Sequence, residues 1–147
     1  MAPLRLHHIG FVVSSIEQAM PGFVRSMMAE WSGRSFEDPL QKAKVAFLTT
    51  RAGDAQIELV EPLGDDSPVQ RFLQQAGGGL HHLCYEVADL EQELADFRSR
   101  GAVIAKRPKP AVAFGGRRIA WVITAEKLLV ELLEQASSKD VDVHRGQ

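Results

Sequence analysis

One cysteine, Cys84, occurs in 147 residues, so no disulfide can form within the chain. That fits a reducing compartment, and a cytoplasmic location is expected. Strong charge of either sign is also lacking: 17 basic and 19 acidic residues leave a net charge of −2. A nucleic-acid-binding domain shows a basic excess, so no nucleic-acid partner is expected. No apolar run approaches the roughly 18 residues a spanning helix needs, so no membrane partner is expected. Residues 1–6 carry no charged stretch leading into an apolar core, and no signal peptide is expected there. The chain has no C-x-x-C pair, no phosphate-cradling Walker loop and no G-x-S-x-G elbow, which leaves those chemistries without support. What is present is the balance of a soluble globular protein, 45% apolar and 24% charged. A chain of this length buries roughly 70% of its unfolded surface without staples.

The chain repeats itself. Residues 6–20 read LHHIGFVVSSIEQAM and residues 80–94 read LHHLCYEVADLEQEL, with six of fifteen positions identical at an offset of 74. At the same offset VAFLTT (45–50) falls on IAWVIT (119–124), and one residue out of step QIELVEP (56–62) falls on LVELLEQ (129–135). Three segments in the same order at nearly one offset indicate an internal duplication. Each half reads β-α-β-β-β. Strands are predicted over 6–13, 45–49, 56–61, 103–106, 118–124 and 128–134, with a weaker one near 31–36. Ser14 or Ser15 caps a helix to about Met28, and a second helix runs from Asp89 to near Gly101. Residues 62–68 form a linker and 69–76 a short helix. The expected organisation is one domain over 1–136, with halves at about 5–62 and 79–135, followed by a polar, frayed tail over 137–147.

Alternation along the strands picks out candidate functional residues. His7, Ile9, Phe11 and Val13 share one face and His8, Gly10 and Val12 the other; His81, Leu83, Tyr85 and Val87 oppose His82, Cys84 and Glu86. His8 and His82 are therefore expected to look into a cleft from equivalent strands, with His7 and His81 in packing or supporting roles. Glu58 lies between Ile57 and Leu59, and Glu131 between Val130 and Leu132. A charge in a buried strand costs several kcal/mol unless paired or metal-bound. Two neutral imidazoles and two carboxylates suit one divalent ion of the Zn, Co, Ni, Mn or Fe(II) group, with positions left open for a small-molecule substrate. Glu61 and Glu134 read as edge-strand charges, Cys84 as a buried small hydrophobe and His144 as a tail residue without a role. The basic loop from Lys106 to Arg118, Arg117 included, can hold a phosphate or carboxylate, and Trp121 and Phe114 can line the pocket.

At these residues the sequence resembles the vicinal oxygen chelate superfamily, which includes the glyoxalases, bleomycin resistance proteins and certain dioxygenases. The nearest likeness is to methylmalonyl-CoA epimerases, carried by LHHIGFVV, IELVEPLGDDSPVQRFL, GGGLHHLCYEVADLEQEL and LLVELLEQ. The resemblance implies an α+β fold of two βαβββ modules forming a pseudo-twofold, cupped, eight-stranded mixed sheet. It implies one metal ligand each from His8, Glu58, His82 and Glu131, a divalent ion, and commonly a homodimer. The implied activity is a metal-dependent isomerase or epimerase of an acyl-CoA, or of a related carbonyl compound, working through an enolate-like intermediate with Glu58 and Glu131 flanking the substrate. A glyoxalase-type lyase acting on a glutathione hemithioacetal, and a non-catalytic small-ligand-binding protein of the same fold, are the alternatives. Some epimerases carry a separate catalytic Glu on the third strand; the matching position here is Ala46, with Ala120 as its mate. The family's longer loop before the last strand is replaced by the short turn Thr124-Ala-Glu-Lys127.

Overall fold

The computed structural model describes residues 4–136. The expected tail over 137–147, His144 included, lies outside the described residues. Half one comprises β1 (Arg5–Val12), α1 (Ile16–Met27), β2 (Glu30–Trp31), β3 (Phe36–Asp38), β4 (Ala43–Thr49) and β5 (Gln56–Pro62). After α2 (Pro68–Ala76), half two comprises β6 (Gly79–Val87), α3 (Leu90–Ser99), β7 (Val103–Pro110), β8 (Arg118–Ile123) and β9 (Leu129–Glu134). A single 3-10 turn, Val112–Phe114, lies between β7 and β8.

Local chemistry sets the helix starts. Ser15 caps α1 by accepting from the Gln18 N–H at 3.2 Å, and Asp89 caps α3 by accepting from the Gln92 N–H at 3.0 Å. Glu61 adds to the first cap: its Oε1 accepts from the Ile16 N–H at 2.8 Å. Glu134 instead binds Arg118, so neither is an idle edge charge.

The nine strands form one mixed sheet in the order β2-β4-β5-β1-β6-β9-β8-β7, with β3 also paired to β4. Eight of them follow the expected path. The ninth arises because the strand expected near 31–36 is two short pieces, separated around Gly33, whose φ of 86° is left-handed. β7 runs four residues beyond its expected end at Lys106. In each half the first strand lies parallel to the last (β1 with β5, β6 with β9), and antiparallel pairing of β1 with β6 joins the halves.

Alternation then divides the apolar residues between two faces. On the outer face of half one, α1 packs Ile16 and Met20 on Ala46, Leu48, Ile57 and Leu59. In half two, α3 packs Leu90, Leu94 and Phe97 on Ala120, Val122, Val130 and Leu132. Each buried Ile, Leu, Val, Met or Phe side chain among them contributes roughly 1.5–3 kcal/mol. The inner face carries Ala43, Val45 and Val60 from half one, and Cys84, Ile119 and Leu133 from half two. α2 seals one end by placing Val69, Phe72 and Leu73 against this face. Ala46 and Ala120 thus lie under helices, not on the cleft side. No described helix is long and apolar enough to cross a membrane.

Candidate metal centre

Four buried polar side chains meet at the centre of the inner face. His8 and His82 come from the paired first strands, and Glu58 and Glu131 from the last strands of the two halves. His8 Nε2 lies 3.2 Å from His82 Nε2, 3.0 Å from Glu131 Oε1 and 3.4 Å from Glu58 Oε1. His82 Nε2 lies 3.2 Å from Glu58 Oε1 and 4.0 Å from Glu131 Oε1. An ion bound at about 2.1 Å from each donor sets neighbouring donors about 3 Å apart and opposite ones about 4.2 Å apart. The five spacings fall within that range, with His82 and Glu131 as the widest pair, and the ligand atoms of His8, His82 and Glu131 all lie within 4.8 Å of one another. Glu131 Oε1 is buried without an aligned hydrogen bond, an orphaned oxygen of the kind a cation satisfies. The donor set therefore fits a divalent ion of mixed N/O preference.

The protonation states follow from burial and mutual charge. Burial resists a charge on His8, yet Glu58 and Glu131 push its pKa up to about 10. Burial would raise the Glu58 carboxyl, but His8 and His82 hold it well below the usual carboxylate range.

Each ligand-type imidazole rests on a small residue of the opposite half. Gly10 is the cross-strand partner of His82, and a Cβ on Gly10 would overlap the His82 ring. Cys84, the repeat mate of Gly10, is the cross-strand partner of His8. Burial, then the neighbouring Glu131, pushes the Cys84 thiol up, so it stays protonated and is no nucleophile. An aromatic residue sits opposite each glutamate: Phe47 pairs with Glu58 and Trp121 with Glu131. Their rings lie 5.5 Å from His8 and 4.8 Å from His82. Sequence reasoning missed Gly10 and Phe47. Their signal was the repeat itself, which sets Gly10 against Cys84 and Phe47 against Trp121.

His7 and His81 depart from the expected faces. The β1–β6 register shifts between Leu6 and His8, and again where Gly10 and Phe11 face His82 and Leu80. These bulges fall at the two His-His pairs and turn both members of each pair inward. His7 packs beside Phe114 at 5.4 Å and His81 beside Phe72 at 4.9 Å, rather than under α1 and α3. Burial, then the adjacent His8 or His82, lowers both to about 4, so both are neutral near pH 7.

The centre opens into a largely apolar cleft lined by Val45, Val60, Ile119, Phe114 and Trp121, with Glu58, Glu131 and His81 at its floor. Phe114 and Trp121, both expected to line the pocket, border this cleft. Arg117 and Arg118 do not line the cleft. Arg118 binds Glu91 and Glu134, each at 2.7 Å, and Arg117 reaches Glu86 and the Glu134 carbonyl. The cleft's cation is Lys106, which has no carboxylate partner among the described residues. Burial, then Lys109 and Lys42, lowers its pKa. Asp38 also borders the cleft, but its oxygens accept the N–H groups of Leu40, Gln41 and Val112. That last bond anchors the turn carrying Phe114 over His8. The cleft-side residues of β4 are Ala43, Val45 and Phe47, so this strand supplies no carboxylate.

The profile of the Glyoxalase/Bleomycin resistance protein/Dioxygenase superfamily matches residues 7–121. The chain is 34% identical over 134 residues to the uncharacterized protein YqjC of Bacillus subtilis, covering 88% of this chain and 91% of that one. It is 30% identical over 119 residues to the ethylmalonyl-CoA/methylmalonyl-CoA epimerase of Cereibacter sphaeroides, covering 80% and 87%. The crystal structure of methylmalonyl-CoA epimerase from Mycobacterium tuberculosis superposes with a TM-score of 0.80 at 25% identity, over 93% of this chain and 91% of that one.

Proposed function

The chain belongs to the glyoxalase/bleomycin resistance protein/dioxygenase superfamily, and on that premise we propose that it is a divalent-metal-dependent epimerase of an anionic acyl thioester of the methylmalonyl-CoA class. The observation that carries this reading is the convergence of two imidazoles and two carboxylates, all buried, at the floor of an apolar cleft. The likeness to the Cereibacter sphaeroides epimerase supports the substrate class. His8, Glu58, His82 and Glu131 are the proposed ligands. A bound divalent ion supplies Lewis-acid stabilisation to negative charge on the substrate's carbonyl oxygen.

The chain's own groups do the rest. Val45, Val60, Ile119 and Trp121 keep water from the reacting carbon. Glu58 and Glu131, related by the pseudo-twofold, flank the substrate; for one to remove the alpha proton and the other to return one on the opposite face, each would have to leave the metal during its step, because a carboxylate held by a cation is a weak base. Because β4 brings no separate carboxylate, this work falls to the two glutamates. Lys106 faces the negative group of the substrate at the cleft mouth. The epimerase likeness also implies a homodimer, and sedimentation at micromolar concentration checks it.

Elemental analysis of protein purified without chelator tests the centre: about one divalent ion per chain is expected. Uptake of none of Co, Zn, Ni or Mn overturns the reading. Deuterium incorporation at the alpha carbon of methylmalonyl-CoA in heavy water tests the chemistry. His82→Ala and Glu131→Ala are expected to lose metal and exchange together; full metal content in either overturns the ligand assignment. The missing separate base also suits a second reading, a lyase on a glutathione hemithioacetal, for which lactoylglutathione would form in place of exchange.

A further inference from the structure

Each proposed ligand imidazole has a second imidazole fixed to its far side. His7 Nδ1 lies 2.8 Å from His8 Nδ1, and His81 Nδ1 lies 2.8 Å from His82 Nδ1. Regular alternation sends successive side chains to opposite faces, so neither contact could form on an unbroken strand. Both form because the β1–β6 pairing is bulged at each pair. Across each contact one nitrogen must donate and the other accept. Among the described residues, no other side chain or backbone acceptor is hydrogen-bonded to Nδ1 of His8 or His82.

We propose that His7 and His81 are positioning residues that accept, on Nδ1, the Nδ1–H of the adjacent ligand imidazole. This inference rests on the four-residue metal centre proposed above. With Nδ1–H engaged, His8 and His82 present Nε2 to the carboxylates, as the short Nε2 distances to Glu58 and Glu131 require. His7 and His81 then carry their own proton on Nε2. A ligand imidazole commonly donates its outer N–H to a carboxylate or carbonyl, which raises its basicity toward the metal. A neutral imidazole in that place orients the ligand without adding negative charge. The centre already contains two carboxylates, which balance a divalent ion. A third and fourth would weaken its pull on a substrate oxygen.

The test compares shape with hydrogen bonding. His7→Phe and His81→Phe keep an aromatic ring and remove the acceptor; His7→Asn and His81→Asn place an amide oxygen near the Nδ1 position. Cobalt(II) affinity is read by competition with a chromophoric chelator, with the visible spectrum of the bound ion as a second readout. The Phe variants are expected to weaken cobalt binding about 10–100-fold and to shift that spectrum. The Asn variants should stay near wild type, with circular dichroism unchanged throughout. Long-range 1H–15N spectra should show His7 and His81 protonated on Nε2. Phe variants that bind cobalt like wild type, Asn variants as weak as Phe, or a proton on Nδ1 of His7 and His81 would each overturn the proposal. Wild-type protein that binds no cobalt is a separate result: it removes the metal-centre reading, and this inference with it.

Discussion

The two halves supply the same parts to the centre but enclose it differently. Each brings a ligand-type imidazole, a partner imidazole, a small cross-strand residue, an aromatic ring and a glutamate: His8, His7, Gly10, Phe47 and Glu58 against His82, His81, Cys84, Trp121 and Glu131. Outside that ring the likeness ends. Half one closes with two short strands and a turn fastened by Asp38. Half two extends β7 and sends the turn carrying Phe114 across to stack on His8, with ring centroids 6.0 Å apart and planes inclined by 18°. His81 therefore borders the open cleft, while His7 faces a separate depression with Arg5, Asp54 and Glu86. Duplication accounts for the donor set; the unmatched segments account for what the cleft admits.

Gly10→Ala should break the symmetric part most severely. Its methyl group enters the space of the His82 ring, so metal content should fall nearly as far as in His82→Ala, with a stability loss of about 1–3 kcal/mol from overpacking. Cys84→Gly, which makes the halves alike at that point, should retain metal; both are checked by elemental analysis and thermal melts.

Next in size is the pH dependence. Metal must displace the proton that His8 holds up to about pH 10, so affinity should rise about tenfold per pH unit near neutrality. Proton release in a weakly buffered titration measures it. Stability of the metal-free fold has the opposite slope there. The raised His8 value stabilises fully below pH 6.5 and is lost as pH climbs through about 10. His7 and His81 act on the acid side: between pH 6.5 and about 4 they take up a proton only in the unfolded chain, so acidification destabilises. Denaturant melts across pH 4–10 on chelated protein should show both limbs.

The asymmetric part is tested by its cations. Lys106→Ala should raise KM for an anionic thioester about tenfold with kcat unchanged. Arg118→Ala should leave both constants intact and lower the melting temperature only slightly, because its guanidinium already bridges the exposed Glu91 and the part-buried Glu134 at the protein surface. Steady-state kinetics and a melt separate the two.

Much of the centre was legible because a strand's period is rigid and the sequence contains it twice. Glu58 and Glu131 stand out as charges between apolar neighbours, and the repeat ties His8 to His82. Three features were not legible, each for a tertiary reason. The bulges at His7 and His81 depend on the register between β1 and β6, which neither strand encodes alone. The commitment of Arg117 and Arg118 depends on Glu86, Glu91 and Glu134, distant in the chain. Without those partners in view, every cation of the basic loop looked equally free, and Lys106 did not stand out. The position matching the third-strand glutamate of some epimerases was read at Ala46, but the strand's phase sets Ala46 beneath α1 and leaves Val45 and Phe47 beside the cleft.

The exchange of small residues across the β1–β6 seam bears on how such a molecule can change over generations. Gly10 makes room for an imidazole encoded 72 positions later, and Cys84 faces one encoded 76 positions earlier. A lone module would hold one imidazole with nothing beneath it, and would complete the centre only by meeting another copy strand to strand. Fusing two modules in one gene makes that meeting independent of concentration. It also ties the first strands together as a heritable unit: drift in one is felt at the imidazole of the other, while the outer loops remain free to follow a new substrate.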